Sequence, residues 1–506
     1  MTASASASDN SLVAVSQSRP WLLLAGLVLL VLYRWAVIHF ATVPLFYDEA
    51  QYYGWALQPD FGYYSKPPMV AWLIYLTTQL FGQTEVAVRL ASPLLYSLTA
   101  LVVFGIGRRL FDQQVGVAAA LVVATMPGVG VSGLVITTDA PLLFFWALTA
   151  YLFLRARDSQ GWGWWLLAGV SCGLGLLSKY TLVVLPASLI LYLAGSREYR
   201  RLLTDRRFWL AAAVALLVFS PNIWWNYRHQ FATLAHTTAI SQLGGSQPLF
   251  RPGKLLEFLG GQIGVLGPLL AVLLIVRLAQ LARRRQLQSL TAEDGLWFCL
   301  ALTVPLLVLI STQALLSRAF INWAMPAFLG AALLTAALLL RAGWRRWLLA
   351  GIALNLAVTG VLYHYHAFAA AAGIEHSGKT DPYYRMLGWP EATEAVRPLI
   401  ERYPDALVAS DARKVLANLI YYSRVQPQRL ALWNPRGRVD NHYALTADMG
   451  RYVGRNFIFV SESPLPDTLR QRVTHSEYLA EIAVPVYADL ERRLYVYYLQ
   501  GFEGYR

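Results

Sequence analysis

The sequence predicts a polytopic α-helical membrane protein with a small α/β domain at its C-terminal end. Three observations predict it. Hydrophobic residues make up 57% of the 506 positions, and mean hydropathy is +0.44. Only 14% of residues are charged, against about 25% in a soluble domain. The acids are unevenly spread, with 16 of 29 in the last 132 positions, a density that suits a water-soluble segment.

A bilayer-crossing helix needs about 20 apolar residues. Such runs lie near 20–40, 87–107, 115–136, 140–156, 162–178, 180–195, 208–225, 258–277, 296–313, 319–340 and 346–364. They predict about 11 transmembrane helices. The first run is too long for the core of a cleavable signal peptide. The Ser/Ala-rich stretch 1–19 before it reads as a disordered cytoplasmic tail.

Charge sets the expected orientation. With the N-terminus in the cytoplasm, 17 Lys/Arg fall in cytoplasmic segments, including Arg108-Arg109, "SREYRRLLTDRR" (196–207) and "RAGWRR" (341–346). Seven fall outside: Lys66, Arg89, Lys179, Arg228, Arg251, Lys254 and Arg318. That asymmetry follows the positive-inside rule. It places Asp48, Glu49, Lys66, Asp139, Lys179 and everything after about residue 365 on the outer, periplasmic side of the inner membrane.

Residues 1–374 carry a net +12 and residues 375–506 a net +1. The excess charge therefore belongs to membrane loops, which argues against nucleic acid as a partner. Two cysteines, Cys172 and Cys299, sit in apolar runs and suit neither a disulfide framework nor a metal site.

After residue 365 the pattern changes. "DALVASDARKVLANLIYYS" (405–423) reads as a strand followed by a helix, and "RNFIFVSES" (455–463) and "RRLYVYYLQGF" (492–502) read as buried strands. The expected organisation is a tail over 1–19, a transmembrane catalytic region over 20–365 and a soluble α/β domain over 366–506.

Chemistry gathers on the outer side. "FYDEAQYYGWALQPDFGYYSKPP" (46–68) follows the first span and holds Asp48, Glu49, Tyr52, Tyr63, Tyr64 and Lys66. Acids beside a membrane are costly and point to function. The plain alternative is that Asp48 and Glu49 cap the helix that follows, and that Lys66 snorkels to the interface. "ITTDAPLLFFW" (136–146) supplies Asp139, which also fits an N-cap pattern with Pro141. "GLLSKYT" supplies Lys179, and the loop 222–254 supplies His229, His236, Arg251 and Lys254. The two histidines are seven apart and match no common metal motif, so no cofactor is expected beyond a weak case for a divalent metal. Arg318 adds another cation. A carboxylate can deprotonate a hydroxyl, clustered cations can stabilise a departing phosphate, and aromatics can stack on sugars.

These stretches, with "ITTDAPLLFFWALTAYLFLRA", "PNIWWNYRHQF" and "EFLGGQIG", resemble the GT-C glycosyltransferases over roughly residues 20–340. Within them the chain is similar to the aminoarabinose transferase and protein O-mannosyltransferase branches, and most similar to the Rgt-type galacturonosyltransferases. The resemblance implies the GT-C fold, with juxtamembrane helices in the first outer loop. It also implies metal-free, inverting transfer of a sugar from a polyprenyl-phosphate donor to an envelope acceptor, such as lipid A, another glycolipid or a protein. Asp48 then matches the family's loop-one catalytic acid, Lys66 the lysine on the lipid phosphate, Tyr52 and Tyr63 loop-one tyrosines, and Asp139 a second acid. Glu49, Tyr64, Lys179, His236, Arg251 and Arg318 are expected to bind substrate. The aminoarabinose branch has Arg three positions after the acid and Glu before the Lys. This chain has Gln51 and Ser65 there, which implies a different substrate. Rival readings are a lipid-linked sugar transporter or flippase, which would place its charges at the bilayer midplane, and a non-catalytic envelope scaffold.

Overall fold

A computed structural model describes residues 20–40, 43–159, 161–241 and 250–505. The tail expected over 1–19 lies outside the described residues. Among the described residues, six helices are long and apolar enough to cross a membrane: Pro20–Phe40, Glu85–Leu110, Asp139–Arg157, Arg206–Arg228, Asp294–Leu316 and Arg345–Tyr363. Shorter apolar helices follow the other expected runs, at Gln113–Thr125, Trp162–Leu176, Tyr180–Gly195 and Ala327–Arg341, and one more lies at Met69–Phe81. The chain is thus a multi-pass membrane protein.

One expected span is different. Residues 258–277 do not form one straight helix, because Pro252–Leu266 and Pro268–Arg283 meet at 107°. Gly267 makes the corner with φ +102°, a conformation that L side chains rarely adopt. Pro268 has no N–H to continue the first helix and instead starts the second.

The chain divides into two compact units. The first holds residues up to 37 with 90–223 and 238–363. Its described residues form helices and no strand, and the helices carry apolar positions on every side, as suits packing in lipid. Arg34, inside the first helix, is 1% exposed; it donates to the Tyr363 hydroxyl at 3.0 Å and the Ala124 carbonyl at 2.9 Å.

The second unit holds residues 38–89, 224–237 and 364–506. Its centre is a five-stranded mixed sheet in the order β2-β1-β3-β5-β4, where β1 is Leu407–Ser410, β2 Leu430–Leu432, β3 Phe457–Ser461, β4 Val473–Tyr487 and β5 Leu490–Phe502. β1 pairs in parallel with β2 and β3, and β5 runs antiparallel to β3 and β4. β1 and β3 are buried throughout because both faces are covered. The helix Arg413–Tyr421 leaves β1, and Trp389–Arg402 precedes it. The loop after the first apolar helix belongs to this unit and contains the helices Tyr47–Ala56 and Met69–Phe81.

Candidate functional site

The helix Tyr47–Ala56 is held at its start by Glu49. Its carboxylate accepts the Phe46 N–H at 2.9 Å, which is half of a capping box. The same carboxylate takes a two-pronged ion pair from Arg89 at 2.9 and 2.7 Å, and Arg89 also donates to the carbonyls of Val43 and Pro44. Glu49 is 1% exposed. Substrate contact was expected of it, but its oxygens are committed to the loop's own framework. Asp48 sits one residue earlier, half-buried, and caps nothing.

Asp48 has another partner. Arg413 Nη1 donates to Asp48 Oδ1 and to Gln51 Oε1, both at 3.0 Å, and its guanidinium lies over the Tyr47 ring at 5.0 Å. Asp48 and Gln51 are three apart on one helix face, so a single side chain can span them. Arg413 is the first residue of the helix that leaves the carboxyl end of β1. In open α/β sheets, functional groups collect at that end. Sequence reasoning missed Arg413; the available signal was the turn "SDARK" between a buried strand and an amphipathic helix.

Lys66 follows a tight reversal in which Tyr63 and Lys66 exchange backbone hydrogen bonds of 3.0 and 3.3 Å. Pro67 and Pro68 then lead into the helix Met69–Phe81. The Tyr63 ring stacks on Trp55 at 4.5 Å, and its hydroxyl donates to the Trp55 carbonyl and accepts the Asp60 N–H, each at 3.1 Å. Tyr63 is therefore a wall. Tyr52 is also buried, packed on Trp55. The Tyr64 hydroxyl donates to the Val439 carbonyl at 3.0 Å, and its ring meets His236 edge-on at 4.8 Å.

His236 lies in the helix Ala232–Ser241, within a stretch expected to be loop. Burial pushes its pKa down to about 4, and the charges of Lys66 and Arg413 push the same way. Its imidazole is neutral at neutral pH and feels both cations. Asp48, Gln51, Tyr64, Lys66, His236 and Arg413 form one polar group in the second unit. His229 is stacked on Trp225 at 4.0 Å, with Nδ1 2.8 Å from the Trp225 carbonyl. Among the described residues, no group of three or more His, Cys, Asp or Glu is placed to hold a metal ion.

The first unit holds a second group. Asp139 is the first residue of its helix and 3% exposed. It is not the N-cap its sequence suggested. Lys179 Nζ reaches Asp139 Oδ1 at 2.6 Å, and Asn322 donates to Oδ2 at 2.7 Å. Two expected site residues thus meet in one buried ion pair, and Asn322 is a member that sequence reasoning missed. Arg251 opens the helix Pro252–Leu266, and its N–H donates to the Leu315 carbonyl at 2.7 Å. Arg318 is half-buried, over the Phe320 ring at 5.4 Å, and its Nε has no hydrogen-bond partner.

Comparisons with known proteins place the chain in a family. Residues 65–225 match the family described as dolichyl-phosphate-mannose-protein mannosyltransferase. The chain is 32% identical over 432 residues to the lipid A galacturonosyltransferase RgtD of Rhizobium johnstonii, covering 83% of this chain and 87% of that protein. It is 34% identical over 168 residues to an undecaprenyl phosphate-alpha-4-amino-4-deoxy-L-arabinose arabinosyl transferase of Pseudomonas aeruginosa, covering 31% and 30%. Its fold is similar to that of the crystal structure of ArnT from Cupriavidus metallidurans bound to undecaprenyl phosphate, with a TM-score of 0.61, 16% identity, and coverage of 94% of this chain and 98% of that one. The chain is a membrane glycosyltransferase of the GT-C superfamily and belongs to the family of the Rgt-type galacturonosyltransferases.

Proposed function

We propose that the protein transfers a uronic acid of the galacturonate class from a polyprenyl-phosphate donor to a lipid A or lipopolysaccharide-core acceptor, with inversion, on the periplasmic face of the inner membrane. The relative at 32% identity over 87% of its length supports the sugar and acceptor. The arabinosyl transferases, named for an undecaprenyl-phosphate sugar, support the donor class. The periplasmic face rests on the distribution of Lys and Arg.

The observation that carries the mechanism is the Asp48–Arg413–Gln51 clamp. Arg413 holds Oδ1 at 3.0 Å, and in this reading Oδ2 takes the proton of an acceptor hydroxyl. The hydroxyl oxygen attacks the anomeric carbon, and its proton passes to Asp48. The bond from that carbon to the phosphate oxygen breaks, and its electron pair leaves with the phosphate. Lys66 balances the charge that grows there. A single displacement inverts the anomeric centre and needs no covalent enzyme intermediate. Asp139 is the second acid of the reading, with Lys179 and Asn322 setting its orientation. Glu49 positions the loop through Arg89.

Transfer of labelled sugar from polyprenyl-phosphate donors by the purified Asp48→Asn protein tests this. Loss of a positioned base costs about 10²- to 10⁴-fold in rate. Activity of the variant at the wild-type level would remove Asp48 from the mechanism.

A further inference from the structure

The first unit holds a cavity of about 640 Å³ between the helices Ala91–Leu110 and Asp139–Arg157. One helix lines it with Leu101, Phe104 and Arg108, the other with Leu148, Tyr151 and Arg155. Each set is spaced three or four apart, so each forms one stripe along its helix. Leu101 and Leu148 lie about 10 Å along the axis from the arginines of their stripes. The cavity is therefore an apolar groove with cations at one end. Gly105 also lines it and leaves room for the Tyr151 ring, which would stand 3.1 Å from an added Cβ.

The cations differ in their partners. Arg109, at the rim, pairs with Asp158 at 2.7 Å, and Asp158 takes Arg157 at 2.7 Å as well. Among the described residues, neither Arg108 nor Arg155 has a carboxylate partner. Arg155 is half-buried all the same. Its guanidinium lies over the Trp164 ring at 4.3 Å and donates to the Tyr151 hydroxyl at 3.4 Å. Neither contact supplies a counter-ion, and burying a cation without one is costly. The positive-inside rule explains which side of the membrane these arginines occupy. It does not explain a half-buried one that faces a groove and lacks an acid. On the same side, Arg207 pairs with Asp205 and Arg341 with Glu293.

Tryptophan sets the depth. Trp162 and Trp164 open the next helix, and Trp162 is exposed. Tryptophans at span ends sit at the level of lipid headgroups. Arg155, against Trp164, is then level with lipid phosphates, and the apolar part of the groove extends toward the acyl chains. Arg155 lies about 24 Å along its helix from Asp139, so the cationic end is at the other end of the span from that acid.

We propose that this groove binds an anionic diacyl phospholipid of the phosphatidylglycerol type, from the leaflet that the Lys/Arg distribution predicts to be cytoplasmic. Arg108 and Arg155 hold the phosphodiester by charge-assisted hydrogen bonds, with the planar guanidinium suited to two-pronged contact. One acyl chain lies along Phe104, Leu101 and Leu148. Basic pockets between membrane helices on the cytoplasmic side are a known setting for anionic headgroups. A zwitterionic lipid fits less well, because its ammonium needs an acid and Asp158 already serves two arginines.

The test is native mass spectrometry of the full chain in detergent, titrated with phosphatidylglycerol, phosphatidylethanolamine or undecaprenyl phosphate, with thermal melting as a second readout. The wild type should bind phosphatidylglycerol at least about tenfold more tightly than phosphatidylethanolamine, the effect of one strong charge-assisted contact, and should melt higher in its presence. Arg155→Gln should weaken phosphatidylglycerol binding at least about tenfold. Arg155 also packs on Trp164, so the exposed Arg108→Gln is the second variant. It should weaken binding several-fold and melt like the wild type when no lipid is added. Arg346→Gln removes an exposed arginine on the same side outside the groove and should bind like the wild type. Unchanged phosphatidylglycerol affinity in both groove variants would overturn the inference. So would an equal loss in Arg346→Gln, since overall charge would then explain the preference. Tighter binding of undecaprenyl phosphate than of phosphatidylglycerol would also overturn it, because the groove would then belong to the sugar donor.

Discussion

Arg413 reaches Asp48 and Gln51 from one nitrogen and stacks on Tyr47 with its flat face. A lysine is a compact, strongly hydrated point charge and does not reproduce that planar contact. Arg413→Ala is expected to lower kcat about 10- to 100-fold with a smaller change in KM, because a misplaced carboxylate harms the chemical step more than binding. Arg413→Lys should recover part of the loss, and Gln51→Ala should add little in the Arg413→Ala background because the two act through one contact. Steady-state kinetics on the four proteins checks this; additive losses would contradict the clamp. Asp139 and Lys179 are a different case, an ion pair removed from water. Asp139→Asn strands a buried ammonium and should cost about 3–5 kcal/mol, whereas Asp139→Asn with Lys179→Met should recover most of it. Thermal melting of the single and double variants measures the difference. Asp48, Lys66 and Asp139 were legible as residues because charge beside a membrane is rare and local. Arg413 was not, since its partner lies 365 positions away and nothing in either stretch encodes the pairing.

Helices and strands were legible where their hydrophobic pattern was continuous. β1, the helix Arg413–Tyr421, β3 and β5 appear where the sequence predicts them. β2 has three residues, too few for a pattern, and β4 escaped because it is an edge strand paired only with β5. Its residues mix polar and apolar side chains, and it tolerates Pro485 for the same reason. The corner at Gly267 was hidden by unbroken hydropathy from 258 to 277, although Gly-Pro is a recognised turn signal. Its glycine is required twice over. The φ of +102° disfavours any side chain, and an added Cβ would lie 1.8 Å from Asn355 Oδ1. Gly267→Ala should therefore lower the melting temperature by many degrees or abolish the folded form, as judged by thermal melting in detergent. A shift within about one degree, well under 1 kcal/mol, would show that the corner does not need glycine.

Across the whole molecule the fold class was readable because the bilayer imposes apolar spans and a charge asymmetry on the sequence. The partition into units was less so. Residues 38–89 and 224–237 join the C-terminal sheet in one compact body, a long-range association that composition does not report. That body should lose stability in acid. His236 has its pKa lowered from 6.5 to about 4, so between those values the unfolded chain binds the extra proton and the folded chain resists it. Stability from this group is complete above about pH 6.5 and falls as the pH approaches 4. Melting temperature should drop over that window, and His236→Gln should flatten the slope; an unchanged slope would mean that the residue titrates normally.

The most direct measurement is a reconstituted transfer reaction with the wild-type chain in nanodiscs, a polyprenyl-phosphate uronic acid and lipid A, read by mass spectrometry. The expected result is lipid A heavier by one uronic acid residue, with one free polyprenyl phosphate released per sugar and an inverted anomeric centre. No product from the lipid-linked donor, together with transfer from a nucleotide sugar, would contradict the account.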